Sequence, residues 1–370
     1  MSVAGGVIDW DQTHMSQALA LASRGLFTTR PNPRVGCVVA RAGRVVGQGW
    51  HEWAGGKHAE VIALEQAGKL AVGAELYVTL EPCNHTGRTG PCVEEVIRAG
   101  VKRVVGAMQD PNPKVSGRGF EKLKSAGIRV DVGTGSAEAE RLNEGFIRRM
   151  TTGRPFVRVK VAATLDGCTA ARDGSSQWIT SEEARRDVQC LRARSCALVT
   201  GIGTVTKDDP RLNPRVDGPV ASTLRVVLDG NAILKPDAAL FGVDGPVVIV
   251  TAAKDADRGL FDSRTECIRL TGSARRVDVP GVVDWLGQRG CNEILVEAGA
   301  GVSGAFLSTG LVDEIVVYSS PDALGSEGRG MFELSGVQGI EDRVQHEVMD
   351  VSRIGRDLKI VYRPINERAG

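Results

Sequence analysis

Aromatic residues are scarce in this chain, with 3 Tyr, 8 Phe and 5 Trp making 4% of its 370 residues. There is also no excess of either charge. The 46 basic and 45 acidic residues leave a formal net charge of +1, so no global positive field draws the protein to a polyanion or an anionic membrane. Few aromatics and near-zero charge together argue against a nucleic-acid surface. No run of about 18 apolar residues is present, so no membrane-spanning helix is expected. The opening stretch MSVAGGVIDWDQTH has no charged segment ahead of an apolar core and does not read as a secretory signal. A cytoplasmic location is the expectation. Fixed-period repeats and low-complexity segments are absent too.

What remains is an ordinary globular composition, 42% hydrophobic and 25% charged. The length suggests two domains at about 100–200 residues each. The chain has 8 cysteines. In a reducing compartment a special pair is more readily metal-binding or catalytic than disulfide-linked. Cys37, Cys168, Cys190, Cys196, Cys267 and Cys291 sit among apolar or ordinary neighbours and read as small buried hydrophobes. Cys83 and Cys92 differ.

Met15, Ala18, Leu19 and Ala22 recur at helical spacing, stopped by Gly25. Pro31-Asn32-Pro33 is a rigid turn. Val35 to Ala40 and Arg44 to Trp50 read as strands of a hairpin about Ala42-Gly43. A helix over Ala59 to Gly68, a β-rich run Leu76 to Leu80, a helix begun by Pro91 and ended by Gly100, and strands at Arg103 to Met108 and Ile128 to Val132 follow. This order predicts an α/β layered domain. Between Asn143 and Pro155 the pattern turns polar, and the boundary is set there, giving domains 1–147 and 148–370. Beyond it, Val157, Val159 and Val161 alternate with Arg158 and Lys160. Further strands are expected at Ala197–Thr200, Arg225–Leu228, Val247–Thr251, Glu293–Val296, Glu314–Tyr318 and Leu358–Tyr362. Helical stretches separate several of them, so the second domain is also α/β.

His58-Ala59-Glu60 is followed by Pro82-Cys83 and Pro91-Cys92, near the His-x-Glu…Pro-Cys-x-x-Cys pattern of zinc deaminases. Two thiolates and an imidazole hold zinc and leave a fourth position for water, whose pKa the metal lowers towards about 7. A carboxylate must then carry protons. Glu60, two residues from His58, can reach that water without being a ligand. Cys92 at a helix start gains thiolate character. The cysteines are nine positions apart rather than three, separated by an insertion, Asn84 to Gly90, that supplies His85 as a rival ligand. A Cys83/His85 pairing would leave Pro91-Cys92 unexplained, so His58, Cys83 and Cys92 are kept as the metal set and Glu60 as the catalytic group. A surface histidine with two buried cysteines, and a structural zinc, are the alternatives. Three ligands beside a glutamate favour an open catalytic site.

The run from Thr79 to Thr89, Thr-Leu-Glu-Pro-Cys-Asn-His-Thr-Gly-Arg-Thr, resembles the metal loop of the riboflavin-pathway deaminases of the RibD (or RibG) family, which has this lengthened spacing. Arg30-Pro31-Asn32-Pro33-Arg34-Val35-Gly36 resembles that family's substrate loop, and Gln109-Asp110-Pro111-Asn112-Pro113 a further motif. The resemblance implies a cytidine-deaminase-like three-layer domain in which Asn32 and His51 hold the pyrimidine. Those two also read as a turn residue and a strand-end histidine. Lys57 stands where the family carries proline.

In the second domain, Gly299-Ala300-Gly301-Val302-Ser303-Gly304 follows a strand and opens a helix, a Gly-x-Gly-x-x-Gly arrangement suited to a pyrophosphate. It comes late for a Rossmann first turn, and a tight packing turn is the alternative. The runs Lys160 to Gly167, Gly174 to Thr180, Asp208 to Leu212 and Val296 to Gly299 resemble the family's reductase, so the resemblance spans nearly the whole chain. It implies a dihydrofolate-reductase-like fold using NADPH. By resemblance Ala162, Trp178, Thr204, Asp208, Gly230 and Gly299 to Gly304 contact the cofactor. Lys160, Ser176, Arg192, Leu212, Arg215 and Glu297 face the substrate. Gly230 stands where some relatives carry serine. Arg192 and Arg215 are suited to clamping a phosphate, and Lys160 and Glu297 to orienting or protonating a sugar. The last two also read as an exposed ion pair, and Trp178 as core.

The expectation is a zinc- and NADPH-dependent bifunctional enzyme acting on a small phosphorylated pyrimidine, as a homo-oligomer. It would remove the 2-amino group of 2,5-diamino-6-ribosylamino-4(3H)-pyrimidinone 5′-phosphate, then reduce the ribosyl group to ribityl. A nucleoside or tRNA deaminase with a binding domain, and a zinc-stabilised nucleotide sensor, are the rivals.

Overall fold

The computed structural model describes residues 9–84, 90–113, 115–254, 261–273 and 276–365. The chain divides into two compact units, Met1–Gly153 and Arg154–Gly370. No helix among the described residues is long and apolar enough to cross a membrane.

The first unit opens with α1 (Trp10–Ser23), whose N-terminus is capped by the Asp9 carboxylate accepting from the Gln12 N–H. β1 (Gly36–Arg41) and β2 (Arg44–Trp50) form the expected antiparallel hairpin. Ala42 and Gly43 both adopt positive φ, 49° and 74°, the two-residue turn that matches strand twist. α2 (Ala59–Ala67) lies against β2 at glycines. A Cβ on Gly47 would stand 2.1 Å from the Ala63 carbonyl oxygen, and one on Gly49 2.7 Å from that of Ala59. Only bare backbone lets the helix carrying Glu60 come this close.

β3 (Glu75–Val78), α3 (Cys92–Arg98), β4 (Arg103–Gly106), α4 (Arg118–Ser125), β5 (Arg129–Val132), α5 (Ser136–Leu142) and α6 (Glu144–Thr152) complete the unit. Pro91 lies just before α3 rather than inside it. The sheet order is β2-β1-β3-β4-β5, with β3, β4 and β5 parallel. Cys37, Val39, Leu76 and Val78 pack with Ala59, Ala63, Val93 and Val96 on one face. Val38, Tyr77 and Val105 pack with Met15, Ala18 and Ala139 on the other. Strand alternation thus feeds two cores, giving three layers. The polar stretch expected as a domain break is helical through Thr152, and the contact division falls after Gly153.

The second unit runs β6 (Phe156–Ala163), β7 (Cys168–Ala170), α7 (Glu182–Arg194), β8 (Ala197–Gly201), α8 (Ile202–Asp208), β9 (Leu224–Leu228), β10 (Val247–Thr251) and β11 (Thr265–Arg269). It continues with α9 (Val279–Gln288), β12 (Glu293–Val296), α10 (Ala300–Leu307), β13 (Glu314–Ser319), β14 (Arg329–Gly330), β15 (His346–Ile354) and β16 (Asp357–Pro364). Nine strands make one sheet in the order β11-β10-β9-β8-β12-β6-β13-β16-β15, while β7 and β14 pair separately. All are parallel from β11 to β13, and the last two are antiparallel.

Alternation along β6 holds, but Arg158 does not face solvent and is only 2% exposed. A central parallel strand is covered on both faces. Arg158 is tolerated there because Glu293 of β12 and Glu314 of β13 flank it, with Arg194 on Glu293 and Arg363 on Glu314 beyond. Of the six cysteines expected to be buried, Cys37, Cys168 and Cys291 are. Cys196 and Cys267 are half-buried and Cys190 is exposed.

Candidate functional site

His58 is the N-cap residue of α2, in extended backbone, so its ring points off the helix end. Its Nδ1 lies 3.1 Å from Cys92 Sγ and 3.6 Å from Cys83 Sγ. Cys92 is the first residue of α3 and its backbone N–H points at Cys83 Sγ, 3.4 Å away. The three ligand atoms all lie within 4.8 Å of one another. His85 lies outside the described residues, as does the rest of the run to Thr89.

The two sulfurs compete for one proton. The Cys92 thiol and the His58 ring pull Cys83 down to about 4, against the cost of burial. The Cys83 thiolate in turn pushes Cys92 far above its ordinary range. Hydrogen bonding to Cys83 raises His58. Both thiols can ionise together only beside a strong cation, so this donor set fits a zinc ion. Glu60 is the second residue of α2 and is 3% exposed. Burial first, and the Cys83 charge second, push its carboxyl up to about 7.

These groups open into a cavity of about 660 Å³ that Asn32, His51, Asp110, Phe146 and Arg149 also line. His51 Nδ1 faces the Lys57 carbonyl oxygen at 3.0 Å, and its Nε2 faces Asn32 Nδ2 at 3.0 Å. A carbonyl only accepts, so Nδ1 carries the proton and Nε2 accepts from the amide. Asn32 Oδ1 is thereby turned outward as an acceptor. Burial lowers the His51 pKa, keeping the ring neutral. Lys57 contributes its carbonyl here, which the family's proline also has, and its ammonium pairs with Glu65.

Sequence reasoning passed over two parts of this site. The buried Glu81 carboxylate accepts from the backbone N–H groups of Asp110, Gly117, Gly119 and Phe120, fixing the Asp110 loop at the cavity wall. Asp110 itself is pushed up to about 6, chiefly by burial. Glu81 stands two residues before Cys83, which was a usable signal. The other omission is α6, whose Phe146, Arg149 and Met150 reach the same cavity.

In the second unit Lys160 and Glu297 are a buried cluster, not an exposed pair. Lys160 Nζ is 3.1 Å from Glu297 Oε2, and Arg192 Nε and Nη2 lie 2.6 and 2.9 Å from the two oxygens. Burial opposes ionisation, but Arg192 and Lys160 hold Glu297 at about 2. The bidentate edge of Arg192 is thus engaged by Glu297. Arg215 is exposed as a residue, yet partial burial of its guanidinium first, and the neighbouring Arg192 charge second, lower its pKa. Ser176 is half-buried. The Leu212 side chain is core, packed with Val188, Leu198 and Tyr318.

Ala162, Thr204, Gly230 and Gly299 lie at or just beyond the carboxyl ends of parallel strands β6, β8, β9 and β12, the edge where open α/β sheets take ligands, whereas Asp208 ends α8, a helix length beyond β8. The glycines of the loop divide their work. A Cβ on Gly304 would stand 2.1 Å from the Glu333 carbonyl oxygen, so that glycine serves packing. Nothing lies within 4 Å of a Cβ on Gly299, at the N-terminus of α10. Backbone there is open to a phosphate, which fits a dinucleotide. Trp178 is 70% exposed with Arg185 over its ring, so it is not core.

A His-Cys-Cys triangle beside a buried carboxyl, in a three-layer sheet, makes the first unit a deaminase of the zinc-dependent pyrimidine class. Residues 8–108 match the cytidine and deoxycytidylate deaminase zinc-binding region, and residues 155–360 match the RibD C-terminal domain. The chain is 44% identical to the riboflavin biosynthesis protein RibD of Escherichia coli K12, over 94% of this chain and 98% of that one. RibD of Acinetobacter baumannii superposes with a TM-score of 0.89 at 41% identity, covering 96% and 99% of the two chains. A diaminohydroxyphosphoribosylaminopyrimidine deaminase/5-amino-6-(5-phosphoribosylamino)uracil reductase of Thermotoga maritima gives 0.87 at 35%, with the same coverage. The chain belongs to the RibD family of bifunctional riboflavin biosynthesis enzymes.

Proposed function

We propose that residues 1–147 carry the deaminase and 148–370 the reductase, acting in that order on one phosphorylated intermediate. The first reaction adds water to C2 of the diaminopyrimidinone and releases the 2-amino group as ammonia. The second breaks C1′–O4′ of the ribosyl group, adds hydride to C1′ and a proton to the released oxygen, and leaves a ribityl chain. The order has support in the Thermotoga protein, whose reductase substrate is named as a uracil, the deaminated ring.

His58, Cys83 and Cys92 would hold the zinc, which makes water acidic enough to act as a nucleophile at neutral pH. Glu60 is the proton carrier. A carboxyl held near neutrality accepts a proton from the attacking water and returns it to the ring nitrogen, then to the departing amine. Asn32 Oδ1, oriented by His51, is the acceptor for a ring N–H or amine. In the second unit NADPH supplies the hydride. The Gly299 to Gly304 loop would take its pyrophosphate, and Ala162, Trp178, Thr204, Asp208 and Gly230 would contact the rest of the cofactor. Glu297 stays ionised and so cannot be the acid; it orients Lys160, whose ammonium is the proton source. Ser176, Leu212 backbone, Arg192 and Arg215 border the ribosyl phosphate.

The observation that carries the reading is the buried triangle of His58, Cys83 and Cys92 with Glu60 beside it. Zinc-loaded protein should release ammonia from the diamino substrate and then consume NADPH. Glu60→Gln should lose ammonia release by roughly a hundredfold or more, yet consume NADPH when given the deaminated uracil. Wild type that does neither sinks the proposal. A cytoplasmic homo-oligomer is part of this reading. The edge strand β15 exposes Val348, Met349 and Val351, a surface suited to a second copy, and sedimentation would test it.

A further inference from the structure

The deaminase cavity is rich in acid. Glu60, Glu81 and Asp110 line it, and Arg149 is the one arginine or lysine among the described residues that does. A phosphorylated pyrimidine brings further negative charge into this space. Burying a phosphate beside carboxyl groups is costly unless a fixed cation meets it. Arginine presents a planar fork that matches two phosphate oxygens and never loses its charge.

The position of Arg149 is built rather than incidental. Phe146, Arg149 and Met150 follow helical spacing, so one face of α6 turns to the cavity. The start of α6 is bolted to the substrate loop by Asn143, which is 1% exposed. Asn143 Oδ1 accepts from the Arg34 N–H at 2.8 Å, and its Nδ2 donates to the Arg34 carbonyl at 3.0 Å. The Arg34 guanidinium donates to the Leu142 carbonyl at 2.7 Å. At the far end Arg149 Nη2 reaches the Pro31 carbonyl at 3.5 Å. The Pro31-Asn32-Pro33 turn that presents Asn32 and the helix that presents Arg149 are therefore one body, with a hydrogen-bond acceptor and a cation at a fixed separation.

We infer that Arg149 reads the 5′-phosphate of the deaminase substrate, while Asn32 reads the ring. The inference rests on the deaminase reading above. Arg149 is a specificity-determining residue that acts on substrate capture, not on the proton transfers at Glu60.

The test uses the full zinc-loaded chain with the diamino riboside 5′-phosphate and with the same riboside lacking phosphate. One charge-assisted contact predicts that wild type prefers the phosphorylated form by roughly 10- to 100-fold in kcat/KM, expressed mainly in KM. Arg149→Ala should bring that ratio close to one, and Arg149→Lys, which keeps a point charge without the fork, should fall between. Zinc content and circular dichroism of both variants establish that the unit is folded. An Arg149→Ala protein with the wild-type ratio, or a wild type with no preference, overturns the inference. If wild type releases ammonia from neither compound, the deaminase reading has failed and this inference falls with it.

Discussion

The Glu297 carboxylate meets Arg192 edge to edge, Oε1 at 2.6 Å from Nε and Oε2 at 2.9 Å from Nη2. Lys160 adds a third contact at 3.1 Å, and none of the three side chains is more than 17% exposed. Glu297→Gln removes the one anion and leaves two buried cations facing each other. A loss of about 3–5 kcal/mol is expected, the cost of breaking a buried pair from one side. Urea unfolding would measure it, and a change below about 1 kcal/mol would show the cluster to be hydrated in solution.

The same carboxylate makes stability depend on acid. Its folded pKa of about 2 lies below its ordinary 4.5. Stability from this group is complete above the unfolded value and drains away as pH falls from about 4.5 towards 2. The shift corresponds to something on the order of 3 kcal/mol. Between pH 7 and pH 3 the wild type should lose more stability than Glu297→Gln, and the two curves should converge. Parallel curves would place the acid sensitivity elsewhere.

The clustering of His58, Cys83 and Cys92 was legible in the sequence because zinc chemistry dictates residue types and their order, even across a lengthened loop. Strands in the second unit were legible from their apolar runs. The wall of the deaminase cavity was not. Helix α6 carries Arg148 and Arg149 beside Phe146 and Met150, so it looks too polar to pack and passes for a linker. Its polarity belongs to a cavity, which a hydrophobic pattern cannot distinguish from solvent. Arg158 misled in the opposite direction. Alternation implied a wet face, and only the strand order brings Glu293 and Glu314 to either side of it.

His51 should stay neutral because its Nε2 accepts from Asn32 while burial disfavours charge. Asn32→Asp puts a carboxylate oxygen against that unprotonated nitrogen. The ring should then take up a proton, moving the His51 pKa upward, the opposite of its wild-type displacement. NMR titration of the His51 ring would read the shift directly. The outward acceptor geometry is also disturbed, so the KM for the diamino substrate should rise roughly tenfold. An unmoved His51 titration would mean that the tautomer is not set by this pair.

The glycine loop before α10 offers a separation of packing from binding. Gly304→Ala drives a methyl to 2.1 Å from the Glu333 carbonyl oxygen, and backbone on both sides must yield. It should cost about 1–3 kcal/mol of stability. Gly299→Ala meets nothing within 4 Å, and its φ of −69° suits any residue. The fold should tolerate it, and its melting temperature should match wild type. If the open space over Gly299 is where the NADPH pyrophosphate approaches, that same methyl stands in the way. The KM for NADPH should then rise roughly tenfold or more while ammonia release from the first unit continues. Should Gly299→Ala bind NADPH as wild type does, the pyrophosphate lies elsewhere along the strand ends, and the close approach at Gly304 is the loop's packing requirement alone.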